Sequence, residues 1–197
     1  MKKVDNRKDL MLLMLYTPGK GEDFNEPIIG RTRLVKMIFL FKEEFWQEFK
    51  KGTDLSDDKF YQFIPWNYGP FSKEIYEDLT FFSLNDFIAL KPSNEETLIE
   101  SAEELNHFNE NSGLDLDTNV TEYQDEEIKL TPSGVSFTKE LYDGLSPTQR
   151  TTLKKFKGKL VQMQLRAILF YVYKQYPNQI TNSKIKRNIL GTSRDDI

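Results

Sequence analysis

The sequence predicts a mainly helical α+β fold with a small antiparallel β wing. Three observations predict it. Apolar residues recur at helical spacing in several windows, most of them opened by a capping residue or closed by Gly or Pro. Two short β-type runs, 87–90 and 127–130, bracket one long acidic stretch. Between the helical windows lies a stiff aromatic corner, Ile64-Pro-Trp-Asn-Tyr-Gly-Pro-Phe-Ser72.

The first window predicts a helix over 6–16, capped by Asp5 and stopped by Pro18-Gly19, with Leu10, Leu13 and Met14 facing inward. A polar loop leads to Pro27. The second helix spans 32–50. Its Leu34, Met37, Ile38, Phe41, Phe45 and Phe49 keep helical spacing, and Val35, Phe39, Leu40 and Trp46 fill the other faces. A helix apolar nearly all round belongs at the centre of a core. Residues 60–64 read as a short strand that runs into the corner. There Pro70 fixes its own φ and biases Gly69 away from the αR region. Ser72 is a good N-cap for a third helix over 73–82, and Glu74 in its first turn suits the helix dipole. Phe71 and Tyr76 have the spacing of a hydrophobic staple.

Strand 87–90 is expected to stop at Pro92 and to pair with 127–130 as a two-stranded wing. Thr131-Pro132 opens a helix that stops at Gly144. Ser146-Pro-Thr-Gln149 is a capping box with Pro at the first helical position. Gly158 is expected to end that helix, and an amphipathic helix over 160–176 follows. A final short basic helix, capped by Thr181 or Ser183, stops at Gly191. The order of elements is winged-helix-like. The organisation expected is one domain over 1–197, a partly flexible acidic insertion over 93–127, and a basic helical extension over 146–197.

Composition narrows the function classes. With 38% hydrophobic and 13% aromatic residues, the chain builds a core rich in large flat side chains. It has no Cys, so disulfides, thiolate metal sites and cysteine nucleophiles are excluded. No apolar run approaches the length of a membrane span, and the expectation is a cytoplasmic protein with no membrane contact. The net charge of −4 hides an asymmetry. Residues 93–127 hold twelve acids and no Lys or Arg, whereas 145–194 hold eleven Lys and Arg and no acid. One reading gives each region its own partner. The plainer one is a solvated acidic arm that pairs loosely with the basic end of its own chain.

Several residue sets are candidate sites. Trp66, Tyr68, Phe71 and Tyr76 are candidate anchors for a protein partner, because Trp and Tyr are enriched among binding hot spots; they would serve equally as core under the corner. Lys154, Lys155, Lys157, Lys184, Lys186 and Arg187 form basic clusters suited to salt-sensitive nucleic-acid binding, or a solvated helix face. The helix after the corner suits DNA poorly, since Lys73 stands against Glu74, Glu77 and Asp78. Arg31 and Arg33 oppose the dipole of the central helix, and Asp23 or Glu26 is the expected partner. Asp115, Asp117, Asn119, Thr121 and Glu126 match calcium-loop spacing, but Val120 stands where that loop needs Gly. Acid-rich segments give such matches by chance, so no metal or cofactor is expected. The lone histidine, His107, lies in the acidic arm, and no catalytic motif is present. The chain reads as a non-enzyme.

Three patches in order carry a resemblance. They are Gly30-Arg-Thr-Arg-Leu-Val-Lys-Met-Ile-Phe-Leu-Phe41, Trp66-Asn-Tyr-Gly-Pro-Phe-Ser72, and Leu130-Thr-Pro-Ser-Gly134 after a strand. Together they resemble the Panacea (SocA-like) antitoxin domain superfamily and its YwgA-like branch. Leu169-Phe-Tyr-Val-Tyr-Lys-Gln-Tyr-Pro177 is similar to the C-terminal helix of that branch. The likeness covers roughly 28–92 and 127–190, with the acidic insertion outside it. It implies an antitoxin-like module that neutralises or regulates a partner protein, such as a toxin, by direct contact. The alternative is a nucleic-acid-binding regulator or phage-defence accessory using the basic C-terminal helices.

Overall fold

Helix α1 (Arg7–Tyr16) begins where a short amide side chain can satisfy the unpaired amides of a first turn. In the computed structural model, which describes residues 2–21, 23–93 and 126–191, that cap is Asn6. Its Oδ1 accepts from the Asp9 amide at 3.1 Å, and the Asp9 carboxylate accepts from the Asn6 amide in return. The expected cap, Asp5, lies one residue early and donates its backbone N–H to Asp9. Every residue from Asp9 to Tyr16 is buried, so α1 is enclosed all round and does not present a single inward stripe.

The class is as expected: mainly helical, with a small antiparallel sheet. β1 (Ile28–Ile29), too short to carry a period, precedes α2 (Arg31–Glu44). Thr32 through Phe41 are all buried, which makes α2 the central helix. The single helix expected over 32–50 is divided at Phe45, whose φ of −124° leaves the helical region, and α3 (Trp46–Phe49) follows. The strand expected at 60–64 is displaced. β2 (Ile64–Trp66) pairs antiparallel with β3 (Gly69–Phe71), Pro65 opposite Pro70, so the corner is itself a hairpin. Gly69 takes φ +87° at its turn, a conformation open to glycine at little cost.

α4 (Lys73–Leu84) leaves the corner, and β4 (Ile88–Pro92) pairs with β5 (Glu126–Leu130) from Ile88↔Leu130 to Pro92↔Glu126. The sheet order is β1-β5-β4. β4 is therefore an edge strand, where Pro92 is tolerated inside the strand it was expected to stop. α5 (Pro132–Gly144) is capped by Thr131 Oγ1 and packs on α1. α6 (Pro147–Gln162), α7 (Leu165–Gln175) and α8 (Lys186–Leu190) complete the described chain. α7 and α6 both pack on α2. The acidic insertion, with His107 and the calcium-like loop, lies outside the described residues, save its ends at Ser93, Glu126 and Glu127.

Gly158 does not end α6; the helix runs through it. A Cβ at this position would sit 2.8 Å from the Gly19 carbonyl oxygen, so the glycine lets the loop after α1 lie against the helix. The neighbouring Lys157 is wholly buried beneath that loop. Its Nζ donates to the Leu15 carbonyl at 2.7 Å, in the last turn of α1, and to the Glu26 carbonyl at 2.6 Å. Burial disfavours the cation and brings its pKa down to about 7, against the pull of Glu26.

Two expectations follow from these contacts. Between pH 7 and 10 the unfolded chain keeps the Lys157 proton that the folded chain has lost, so stability rises with pH across this window. The slope reaches at most about 1.4 kcal/mol per pH unit. Urea melts as a function of pH should give this rise in the native chain and lose it in Lys157→Met. Because β4 and β5 are paired out to Pro92↔Glu126, replacing residues 94–125 with Gly-Asn-Gly should preserve a cooperative thermal melt. The midpoint should be unchanged or raised, since the shorter loop costs about 2 kcal/mol less closure entropy. Loss of cooperativity would assign the insertion a part in the core.

Candidate functional site

The corner is the first candidate, and its rings face inward. Tyr68, Phe71 and Tyr76 are buried, with Tyr68 only 1% exposed. Phe71 and Tyr76 form the expected staple, their ring centroids 5.4 Å apart. Trp66 is half-buried and stacks on Phe71 at 5.8 Å. Lys36, buried in α2, donates its Nζ to the Pro70 carbonyl at 3.0 Å. From outside, the Lys184 amide donates to the Asn67 carbonyl, and Asn182 Nδ2 to the Pro65 carbonyl. The four expected anchors thus belong to a buttress between α2 and the C-terminal segment. Tyr68, Phe71 and Tyr76 cannot meet a partner without opening the core. Ser72 has the extended backbone of an N-cap, yet its buried Oγ makes no capping bond.

The acids of α4 are also committed internally. Arg7 holds Glu74 at 2.6 Å and Asp78 at 3.0 Å, and the buried Tyr61 hydroxyl donates to Asp78 at 3.0 Å. Burial, with Asp78 beside it, pushes the Tyr61 phenol well above its ordinary range. Glu77 pairs with Lys73 along the same helix. The acid-bearing helix after the corner is thus bonded to α1 over much of its charge.

The two arginines of α2 are matched by groups other than Asp23 or Glu26. Arg31 makes a two-pronged pair with Glu126, Nε–Oε2 2.5 Å and Nη2–Oε1 3.1 Å. Glu126, the last position of the calcium-like spacing, is therefore engaged by a cation. Arg33 reaches the Ile29 carbonyl at 3.1 Å, the Leu160 carbonyl at 3.0 Å and the Met163 carbonyl at 2.6 Å. Its guanidinium satisfies the C-terminal carbonyls of α6, where a cation suits the helix dipole. Among the described residues no three His, Cys, Asp or Glu side chains gather as a metal would need.

Of the basic set, Lys157 is removed by its burial. Lys154 is half-buried, while Lys155, Lys184, Lys186 and Arg187 are exposed. Arg166 is exposed as well, and its guanidinium donates to the Asn188 carbonyl at 2.7 Å, tying α7 to α8.

What the sequence did not single out is a groove of about 610 Å³ between α2, α6 and α7. One wall is the C-terminal half of α2, with Leu40, Glu44 and Phe45. The facing wall is α6 along its whole length, from Pro147 through Thr148, Thr152, Lys155 and Lys159 to Leu160 and Met163. Ile168 and Tyr171 of α7 close the third side. Phe45 stacks edge-on against Phe156 at 5.2 Å, which builds the floor. Beside the groove, the Tyr176 hydroxyl donates to Glu44 at 3.2 Å, and burial with this carboxylate raises its pKa. The hydrogen bond to Glu44 raises the Tyr171 pKa as well. Phe170, 42% exposed, is a further open ring on α7. The signal was present as the spacing 148, 152, 155, 159 on one face of α6, but a helix broken at Gly158 hides it. Against known protein families, curated proteins and solved structures, this chain finds no match.

Proposed function

We propose that the chain is a non-enzymatic, antitoxin-like protein-binding module that acts on a partner protein by direct contact, and that the partner docks in the groove between α2, α6 and α7. One observation carries this reading: an apolar groove left open along the full length of a helix, in a molecule whose other large rings are mostly turned inward. Recognition of a helix by a groove uses such a row of side-chain sites. The perturbed titratable groups support a role other than catalysis. Asp9 serves a capping box, Lys157 ties a loop to α6, and the Lys42 ammonium, lowered by burial, donates to the Tyr61 carbonyl.

The test is reconstitution with a partner captured from the host and then purified, a neighbouring toxic gene product being the first choice. Thr152→Trp fills the groove from a half-buried position on α6. It should melt cooperatively at or above the native midpoint and weaken binding by about tenfold or more, roughly 1.4 kcal/mol. A partner bound equally well by this variant would remove the groove from the account.

A second reading is favoured by the exposure of Lys184, Lys186 and Arg187 around α8. These side chains suit contact with nucleic-acid phosphates. Retention on DNA or RNA should then fall steeply with salt, and Lys184→Ala, Lys186→Ala and Arg187→Ala together should flatten that dependence. Absence of retention at low salt ends this reading.

A further inference from the structure

The groove has a charge pattern as well as a shape, and the pattern names a partner chemistry. The following rests on the groove being a protein-docking surface. α6 has sixteen residues and so runs about 24 Å. The lining follows it from end to end, from Pro147 to Met163. A cavity of about 610 Å³ drawn out over such a length is too narrow to swallow a helix. It takes the row of side chains that one face of a helix presents, at i, i+3 or i+4, and i+7.

Lys155 and Lys159 stand one turn apart on the α6 rim, both exposed. Among the described residues no acid offsets them on their own side of the groove: α6 and α7 contain no Asp or Glu, and residues 145–194 contain none at all. Across the groove, Glu44 is the acid of the α2 wall, and Tyr176 already donates to it. Among the described residues the rim left open to a newcomer is cationic, over an apolar floor of Leu40, Phe45 and Phe156. A basic helix would meet Lys155 and Lys159 with like charge; an acidic one would neutralise them.

We infer that the groove recognises an acidic amphipathic helix of a partner protein, with apolar side chains seated on the floor and carboxylates one turn apart facing Lys155 and Lys159. Long carboxylate side chains fit both ammonium groups at this spacing, since residues four apart on a helix share one side.

The probe is a labelled, helix-biased peptide of about five turns. It carries Leu on one face and Glu on the flank, and its twin carries Lys in place of every Glu. Fluorescence anisotropy with the full chain measures both, and sedimentation velocity runs alongside. The Glu peptide should bind about tenfold or more tightly than the Lys peptide. The Lys155→Glu, Lys159→Glu double variant alters exposed residues only; it should invert that preference, and Tyr171→Ala should weaken both peptides. If the two peptides bind equally, or the Lys peptide binds better while remaining sensitive to Tyr171→Ala, the acidic-partner inference fails and the docking groove stands. If neither peptide binds, the docking groove itself fails. If the native chain self-associates through a contact that the double variant abolishes, and no peptide competes, the occupant is a second copy and the inference is overturned.

Discussion

The fold depends on buried basic side chains that donate to main-chain carbonyls far away in sequence. Lys36 bonds the Pro70 carbonyl, Arg33 bonds the carbonyls of Leu160 and Met163, and Lys157 bonds those of Leu15 and Glu26. Three of these acceptors lie in or just past the last turn of a helix, where carbonyls lack a partner within the helix. Each such hydrogen bond contributes roughly 0.5–1.5 kcal/mol, and up to about 3 kcal/mol where the donor is charged, as in the Arg33 guanidinium; leaving a buried acceptor unsatisfied costs more than the bond is worth. The central helix thereby fixes both the aromatic corner and the C-terminal end of α6. Those two ends position everything that follows them. Hydrophobic burial supplies the bulk of the driving force, but it is indifferent to register, whereas a buried donor that must find a carbonyl is not.

The same contacts explain which parts of the fold were legible in the sequence. Long periodic windows such as α1, α2 and α7 announce themselves, and so does the capping box at Ser146; the cap of α1, expected at Asp5, is a capping box at Asn6. The wing pairing was legible because β-type runs flank an acidic stretch. β1 was not, since two residues hold no period and the strand exists only because β5 offers it an edge. Gly158 misled because propensity penalises glycine in a helix, while here a loop needs the room. The burial of Lys157 beside it has no sequence signal at all. A lysine in a basic helix looks solvated until the opposite surface is known.

The candidate site was less legible still, for a related reason. Trp66, Tyr68, Phe71 and Tyr76 have the composition of a hot spot, and composition cannot tell a ring that faces a partner from one that faces a core. The Lys36 bond to Pro70 and the covering segment around Asn182 and Lys184 decide the matter. Glu74 and Asp78 teach the same lesson for charge. Counted along α4 they make an acidic face, but Arg7 from α1 takes both.

The groove is legible only when three helices are assembled, yet its cause is local. α6 turns Thr148, Thr151 and Thr152 toward the space where a core helix would carry Leu or Phe. Met163 then leaves the helix with an extended ψ of 142°, so that α7 starts at an angle and not as a continuation. Filling the space with one larger apolar side chain would bury a further residue at a gain of roughly 1.5–3 kcal/mol, a substantial share of a domain's net stability. Stability alone would favour that substitution. A row of small hydroxyl side chains over an aromatic floor leaves depth for the side chains of another molecule, and their methyl groups keep the walls apolar. The rim cations Lys155 and Lys159 lie on the same helix face, so a single element sets both the depth of the groove and the charge it presents. That coupling ties shape to charge: a register shift of α6 that closed the space would also carry its cations off the rim, and Arg33 at the helix end holds the register in place.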